Sequence, residues 1–354
     1  MKKILTTTAL VGTTLLAGVN VSSAQVSITG QLDLSYKTSS SDNAPINSYR
    51  GFGRESQINF GYKGKLNNGI GFNAGFSWEI DGNETTGNAS WSENTYLDFV
   101  MDKTTFTVSA DHIQNPDFEI TNIAGGKADI DDVANGIRAK EPLASSSKTK
   151  DGNSAYQAYG FGLIQDFGVA KASIFYAPNR TTGLATSDHS GGAGYGNKSE
   201  VEGSANSQWE VMVDGNFGVQ GLRAFYYQGS AESENPGSAS ASHDLEGQKY
   251  GLSYNFGQFT LAASKAKNTS TANVDTTTNS LGAAYAVNKD LTLNVIRANT
   301  SGGGTATTES LKGVNIGYNL GPVTLNAWYV DSADQGGTAG LDGKSFMLIT
   351  TTKF

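Results

Sequence analysis

Cysteine is absent from the 354 residues, and proline occurs only six times. Without thiols no disulfide can staple the fold, so stability has to come from another source. Basic residues are in deficit, 25 Lys and Arg against 33 Asp and Glu. That balance argues against nucleic acid as a partner, because a phosphate backbone needs basic surface. Charge as a whole is scarce at 16%, below the roughly 25% of soluble domains. Beyond residue 24 no stretch is apolar enough for the ~20-residue helix that crosses a bilayer, which excludes a helical membrane protein. What the chain holds in quantity is glycine, 44 residues, with 15 Tyr and 16 Phe. Glycine and aromatic enrichment with so little proline fits many strands joined by tight turns, including a β-barrel with aromatic girdles.

Residues 1–24 read as a secretory signal. Lys2 and Lys3 precede the apolar stretch Ile4–Val19, and Val21-Ser22-Ser23-Ala24 forms an A-x-A-like cleavage site. A retained anchor is disfavoured because Thr6-Thr7-Thr8 and Thr13-Thr14 interrupt the apolar length that a span requires. Cleavage after Ala24 removes two of the 25 basic residues and no acid, leaving 23 against 33 and a net charge of −10.

The chain that follows alternates apolar and polar residues in short runs. Val26, Ile28, Leu32, Leu34 and Tyr36 share one face, while Gln25, Ser27, Thr29, Gln31, Asp33 and Ser35 share the other, the period of a strand. Ile58, Phe60, Tyr62 and Leu66 repeat the pattern, Asn67-Asn68-Gly69 signals a hairpin, and Ile70, Phe72, Ala74, Phe76, Trp78 and Ile80 return on one face. The unit recurs as far as Leu341–Phe354, giving sixteen strands, of which only the one around Ala155–Gln165 has an ambiguous phase. Connections alternate between short ones, such as Asp102-Lys103 and Gly321, and long polar ones, such as Thr181–Ser207 and Ala231–Glu246. A soluble sandwich shares the alternation. Strand number, loop asymmetry and aromatics near strand ends favour a closed barrel, in which every backbone group is paired and no edge remains. The expected fold is all-β, a 16-stranded antiparallel transmembrane β-barrel over residues 25–354. It has short periplasmic turns and long extracellular loops, the third of which carries a short helix; that this loop folds inward is what the family resemblance given below implies.

That third loop, about residues 111–153, is the largest break in the alternation. Inside it Ile130, Val133, Ala134 and Ile137 stand at i, i+3, i+4 and i+7, the spacing of one helix face. Asp129 is placed to cap the helix, Arg138 and Lys140 suit its C-terminal end, and Pro142 stops it. Asp131, Asp132 and Asn135 fall on the opposite face. An acidic helix between two strands is what a pore constriction requires; a solvated surface helix is the plainer reading of the same residues.

The signal segment, the hairpin NFGYKGKLNNGIGFNAGF, the hairpin YNLGPVTLNAWYV, the long third loop and the final strand FMLITTTKF together resemble the general porins of Gram-negative bacteria, nearest the alphaproteobacterial kind. The resemblance covers essentially all of the chain after residue 24. It implies a homotrimer in outer-membrane lipid, a third loop that narrows the channel, and a terminal Phe354 that the assembly machinery recognises. The first hairpin departs from the family's commoner Arg- and acid-containing version, with Gln57 and Asn59 at inward positions.

A channel needs no catalytic group, only a water-filled tube and a charge arrangement at its waist. The acidic half is assigned to Asp131 and Asp132, with Asp117, Glu119 and Asp129. Inward phase nominates Lys63, Lys65, Lys171, Arg223 and Lys249 for the basic half, with Arg54 at a rim; a solvated wall position is the alternative for each. Asp129, Asp131 and Asp132 offer oxygen ligands to Ca²⁺. They lack the full spacing of a calcium loop, so turn chemistry is preferred, and no other cofactor or metal is expected. His112, His189 and His243 lie in or beside loops without a nucleophile elbow, so no enzyme is expected. The expected function is passive diffusion of small hydrophilic solutes and ions across the outer membrane, with a mild cation preference. The alternatives are a substrate-selective porin, for which Phe175, Phe225, Tyr227 and Trp328 are scattered inward aromatics, and a surface adhesin or structural barrel with a plugged lumen.

Overall fold

The computed structural model describes residues 25–42, 49–81, 90–110, 123, 130–134, 159–177, 207–231, 245–270, 275–303, 305 and 307–354. The signal segment lies outside these residues. Sixteen strands make up almost all of the rest. They are β1 (Gln25–Ser41), β2 (Tyr49–Lys65), β3 (Gly71–Asp81), β4 (Ser90–Met101), β5 (Thr104–Ala110), β6 (Tyr159–Asp166), β7 (Ala170–Ala177) and β8 (Gln208–Gly215). The second half comprises β9 (Leu222–Ala231), β10 (Leu245–Phe256), β11 (Phe259–Ser270), β12 (Thr276–Ala286), β13 (Leu291–Gly302), β14 (Glu309–Asn319), β15 (Val323–Ala333) and β16 (Gly343–Lys353). Each strand pairs antiparallel with its neighbours in sequence, and β1 pairs with both β2 and β16. The sheet is a closed ring with no free edge, which sets the sandwich alternative aside.

Side-chain period fixes which residues look outward. Along β1, Leu34 is 50% exposed while its neighbour Asp33 is 5% exposed. The same contrast runs through β12–β15, where Leu281, Val295 and Val314 are exposed beside buried Ser280, Asn294 and Asn315. Apolar residues exposed on the outer face of a closed ring are what hydrocarbon requires of a barrel. Outward aromatics line up across strands, as in Phe99, Phe106 and Phe161, or Phe256, Phe259 and Tyr285. The phase of β6 resolves with Phe161 and Leu163 outside and Gly160 and Gly162 inside.

Five of the seven short turns share one device. The side-chain oxygens of Asp166, Asn216 and Asn319 each accept the backbone N–H two residues on, from Gly168, Gly218 and Gly321, at 2.7–2.9 Å. Asn68 and Asn288 do the same for Ile70 and Asp290. An Asx turn satisfies the backbone locally and keeps this end of the barrel trimmed.

The chain between β5 and β6 contains one described helical turn, α1 (Ile130–Val133). The other residues of the expected helix, Asp129, Asn135, Ile137, Arg138 and Lys140, lie outside the described residues.

Candidate channel site

Ile130 and Val133 have no exposed surface and Ala134 is 5% exposed. Their partners are Ile296 and Ala298 of β13, Leu311 of β14, Trp328 and Val330 of β15 and Ile349 of β16. All of these are on the inner face. Trp328 pairs with Asn315 and Met347, whereas the next residue, Tyr329, belongs to the outer face and is 46% exposed. The turn that leaves the wall at β5 therefore sits against the inside of β13–β16. In the ring, β14 is nine strands from β5 one way and seven the other, so α1 reaches the far side of the lumen.

Gly313 explains how the turn seats itself. A Cβ there would lie 3.0 Å from Ile130 Cδ1, 3.2 Å from Ile130 Cγ1 and 3.1 Å from Trp328 Cζ3. The missing side chain is the socket that Ile130 and Trp328 fill. Full burial of a Val or Ile side chain contributes about 1.5–3 kcal/mol, so this contact anchors the segment. Toward the long-loop end of the same wall, Gln335 Nε2 donates to Ser332 Oγ at 2.6 Å, Ser332 Oγ donates to the Gly343 carbonyl at 3.0 Å, and Gly336 N–H donates to Glu309 Oε1 at 3.0 Å.

The nominated charges separate into groups. Asp131 and Asp132 belong to α1, while Asp117 and Glu119 lie outside the described residues, as do His112, His189 and His243. Lys63 and Lys65 are on the inner face near the short turn that begins at Leu66. Lys171 is also inward near the trimmed end, opposite Asp166 and Asp214. Arg223 is inward at the same end, its guanidinium bonded to the Asp214 carboxylate at 3.1 and 3.3 Å. Lys249 is inward and 2% exposed, between Tyr227 and Ala266. Arg54 is a correction. It pairs with Leu34, which is 50% exposed, so it stands on the outer face and not in the channel wall.

Acids missing from the nominated set line another part of the lumen. Asp33 pairs with Glu55, two inward carboxylate positions side by side on β1 and β2. Gln31 Nε2 donates to Asp33 Oδ2 at 2.7 Å, and the Thr351 hydroxyl donates to Asp33 Oδ1. The phase of β1 alone carried the signal for Asp33. The four inward aromatics are covered: Phe175, Phe225, Tyr227 and Trp328 are each at most 4% exposed, and Trp328 lies beneath α1. Among the described residues no group of three or more His, Asp or Glu is placed to hold a metal.

The model of a Gram-negative porin family matches residues 6–337. The chain belongs to the Gram-negative porins. A solved mutant of the Rhodopseudomonas blastica porin superposes with a TM-score of 0.59 at 13% identity, covering 93% of this chain and all of the other. A loop-deletion mutant of OmpT, an outer membrane protein of Vibrio cholerae, gives 0.63 at 12% identity, covering 94% and all of the other. At such identities the likeness is one of fold. No curated protein sequence matches the chain. As a porin it is an outer-membrane β-barrel that forms a channel, its strands crossing the bilayer.

Proposed function

We propose that this porin is a passive diffusion channel for small hydrophilic solutes and ions, with a mild preference for cations. The observation that carries it is the seating of α1 against the inner wall of β13–β16, on the far side of the ring from β5; a segment held there supports a narrowed passage. Asp131 and Asp132, with Asp117, Glu119 and Asp129, supply acid at the waist, and Asp33 and Glu55 supply it along the wall. Lys249 is the nominated base at mid-strand, whereas Lys63, Lys65, Lys171 and Arg223 act at the periplasmic mouth. Buried aromatics offer no open track for a ligand, which speaks for general diffusion over substrate selection. Asp129, Asp131 and Asp132 are retained as a candidate Ca²⁺ site. Export depends on cleavage after Ala24, and the working form is a homotrimer.

Planar-bilayer recording tests the reading. Purified protein gives ohmic steps of nanosiemens class, and a salt gradient gives a reversal potential of the sign expected for cations. Persistent silence rejects the channel, and a potential near zero rejects the selectivity. Mass measurement in detergent decides the trimer.

A further inference from the structure

At the trimmed end of the barrel lies a cavity of about 460 Å³, lined by Thr29, Gly30 and Gln31 of β1, Asn59 of β2, Lys353 of β16 and Phe354 beyond it. Its size falls within the roughly 300–1,000 Å³ of small-molecule sites. Thr29 faces Asn59 across one strand boundary, and Gln31 faces Lys353 across the other. All four share the inward phase of Asp33, so their side chains belong to the lumen. Gly30 and Phe354 exchange backbone hydrogen bonds of 2.7 and 3.0 Å, which holds the wall at this point.

The polar groups around the cavity are oriented before any solute arrives. The Thr351 hydroxyl donates to Asp33 Oδ1, and Gln31 Nε2 donates to Asp33 Oδ2 at 2.7 Å. With its nitrogen held by the acid, the Gln31 amide keeps Oε1 as the acceptor for a ligand. Among the described residues the side chains of Thr29, Asn59 and Lys353 make no hydrogen bond or ion pair. A hydroxyl, an amide and an ammonium thus stand unengaged beside one fixed acceptor. Lys353 is positive, and Asp33, diagonal to it across the β1–β16 boundary, is negative. The two charges offset each other, which disfavours an ion and suits a neutral molecule rich in hydroxyl groups.

We propose that this cavity is a binding site for a neutral hexopyranose sugar at the periplasmic mouth of the channel. One sugar hydroxyl donates to Gln31 Oε1, while its neighbours accept from the Lys353 ammonium and the Asn59 amide. Thr29 either donates or accepts, as its hydroxyl rotates. The bond from charged Lys353 is the strongest of the set. A rigid ring meets groups already in place, so little ordering cost attaches to binding. Thr351 acts through Asp33 and Gln31 and is a positioning residue. The inference rests on the diffusion reading only for how a sugar reaches the cavity; binding is measured apart from current.

The test uses the full barrel in a sugar-free amine-oxide detergent, titrated calorimetrically with methyl glucopyranoside and with gluconate, an anion of similar size. The expected result is saturable millimolar binding of the glucoside, at least ten-fold tighter than gluconate. N59A/K353M weakens it at least ten-fold, and T351V, which loosens Asp33 and with it Gln31, weakens it several-fold. T29S keeps the hydroxyl and retains wild-type affinity. N59A alone, which removes a side chain that bonds to no described residue, serves should the double variant fail to fold, and is expected to weaken binding several-fold. Absence of saturable binding, gluconate bound as tightly as the glucoside, or wild-type affinity in N59A overturns the proposal. A barrel that conducts in a planar bilayer without binding the glucoside overturns the sugar site and leaves the channel standing, whereas one that binds without conducting does the reverse.

Discussion

Ile130 occupies the space where a side chain on Gly313 would have to be, with its Cδ1 3.0 Å from the position of a Cβ there. Ile130 belongs to the segment that enters the lumen and Gly313 to the wall that receives it, so this one contact couples the waist to the barrel. Gly313→Val fills the socket. Overpacking of this kind costs about 1–3 kcal/mol, and here the cheaper response is for α1 to lift. Current noise should rise and ion selectivity should change while the barrel remains folded; a recording identical to wild type would show that the seat does not position the waist.

Ile130→Ser with Val133→Ser attacks the same contact from the other side. Each substitution forfeits about 1.5–3 kcal/mol of burial, because both side chains are fully covered. The segment loses its anchor, and mean conductance is expected to increase. A decrease, or a silent channel, would contradict an anchored constriction and favour a plug.

Asp33→Asn with Glu55→Gln neutralises two inward carboxylates on adjacent strands while keeping their shape. The reversal potential in a salt gradient should move toward zero, with little change in conductance at high salt, where screening already weakens fixed charge. An unmoved potential would confine selectivity to the inserted segment.

Arg223→Gln is expected to do little. Arg223 and Asp214 are 45% and 26% exposed, and a pair this open contributes about 1 kcal/mol or less. Thermal unfolding should stay within a few degrees of wild type. A large drop would mean that the pair organises the periplasmic mouth.

Gly30→Val tests barrel closure. A Cβ at Gly30 would fall 2.2–2.9 Å from three atoms of the Phe354 ring, while Gly30 and Phe354 exchange backbone hydrogen bonds of 2.7 and 3.0 Å. The ring must leave, and the final bonds between β1 and the end of the chain weaken. Folding yield and heat resistance in gel mobility should both fall. A smaller loss in Phe354→Leu than in Gly30→Val would assign the effect to the clash and not to the aromatic ring.

Much of this architecture was readable from the sequence because the signals are local. Period two gave the strands and their outer faces, and Ile130, Val133 and Ala134 announced a buried stripe at helical spacing. Arg54 was misplaced although its phase was available: counting in twos back from Ile58 through Ser56 reaches it. The flanking Gly51 and Gly53 carry no side chain to mark a face, and this hid the count. Of the receiving wall only Trp328 was marked, as an isolated inward aromatic. Leu311, Val330 and Ile349 are likewise apolar at inward positions, and only closure of the ring brings them together. The Asp33–Glu55 pairing needs the β1–β2 register, which the long connection between these strands does not fix.

Pairing of β1 with β16 has a temporal consequence. The first strand to be made finds its second partner only in the last, some three hundred residues later, so ring formation is the least local step of folding. A chain that ends before β16 leaves two raw strand borders, and hydrocarbon tolerates neither. Translation and export must finish before insertion can, and a truncated product is condemned as unassembled material and never becomes a leaky pore.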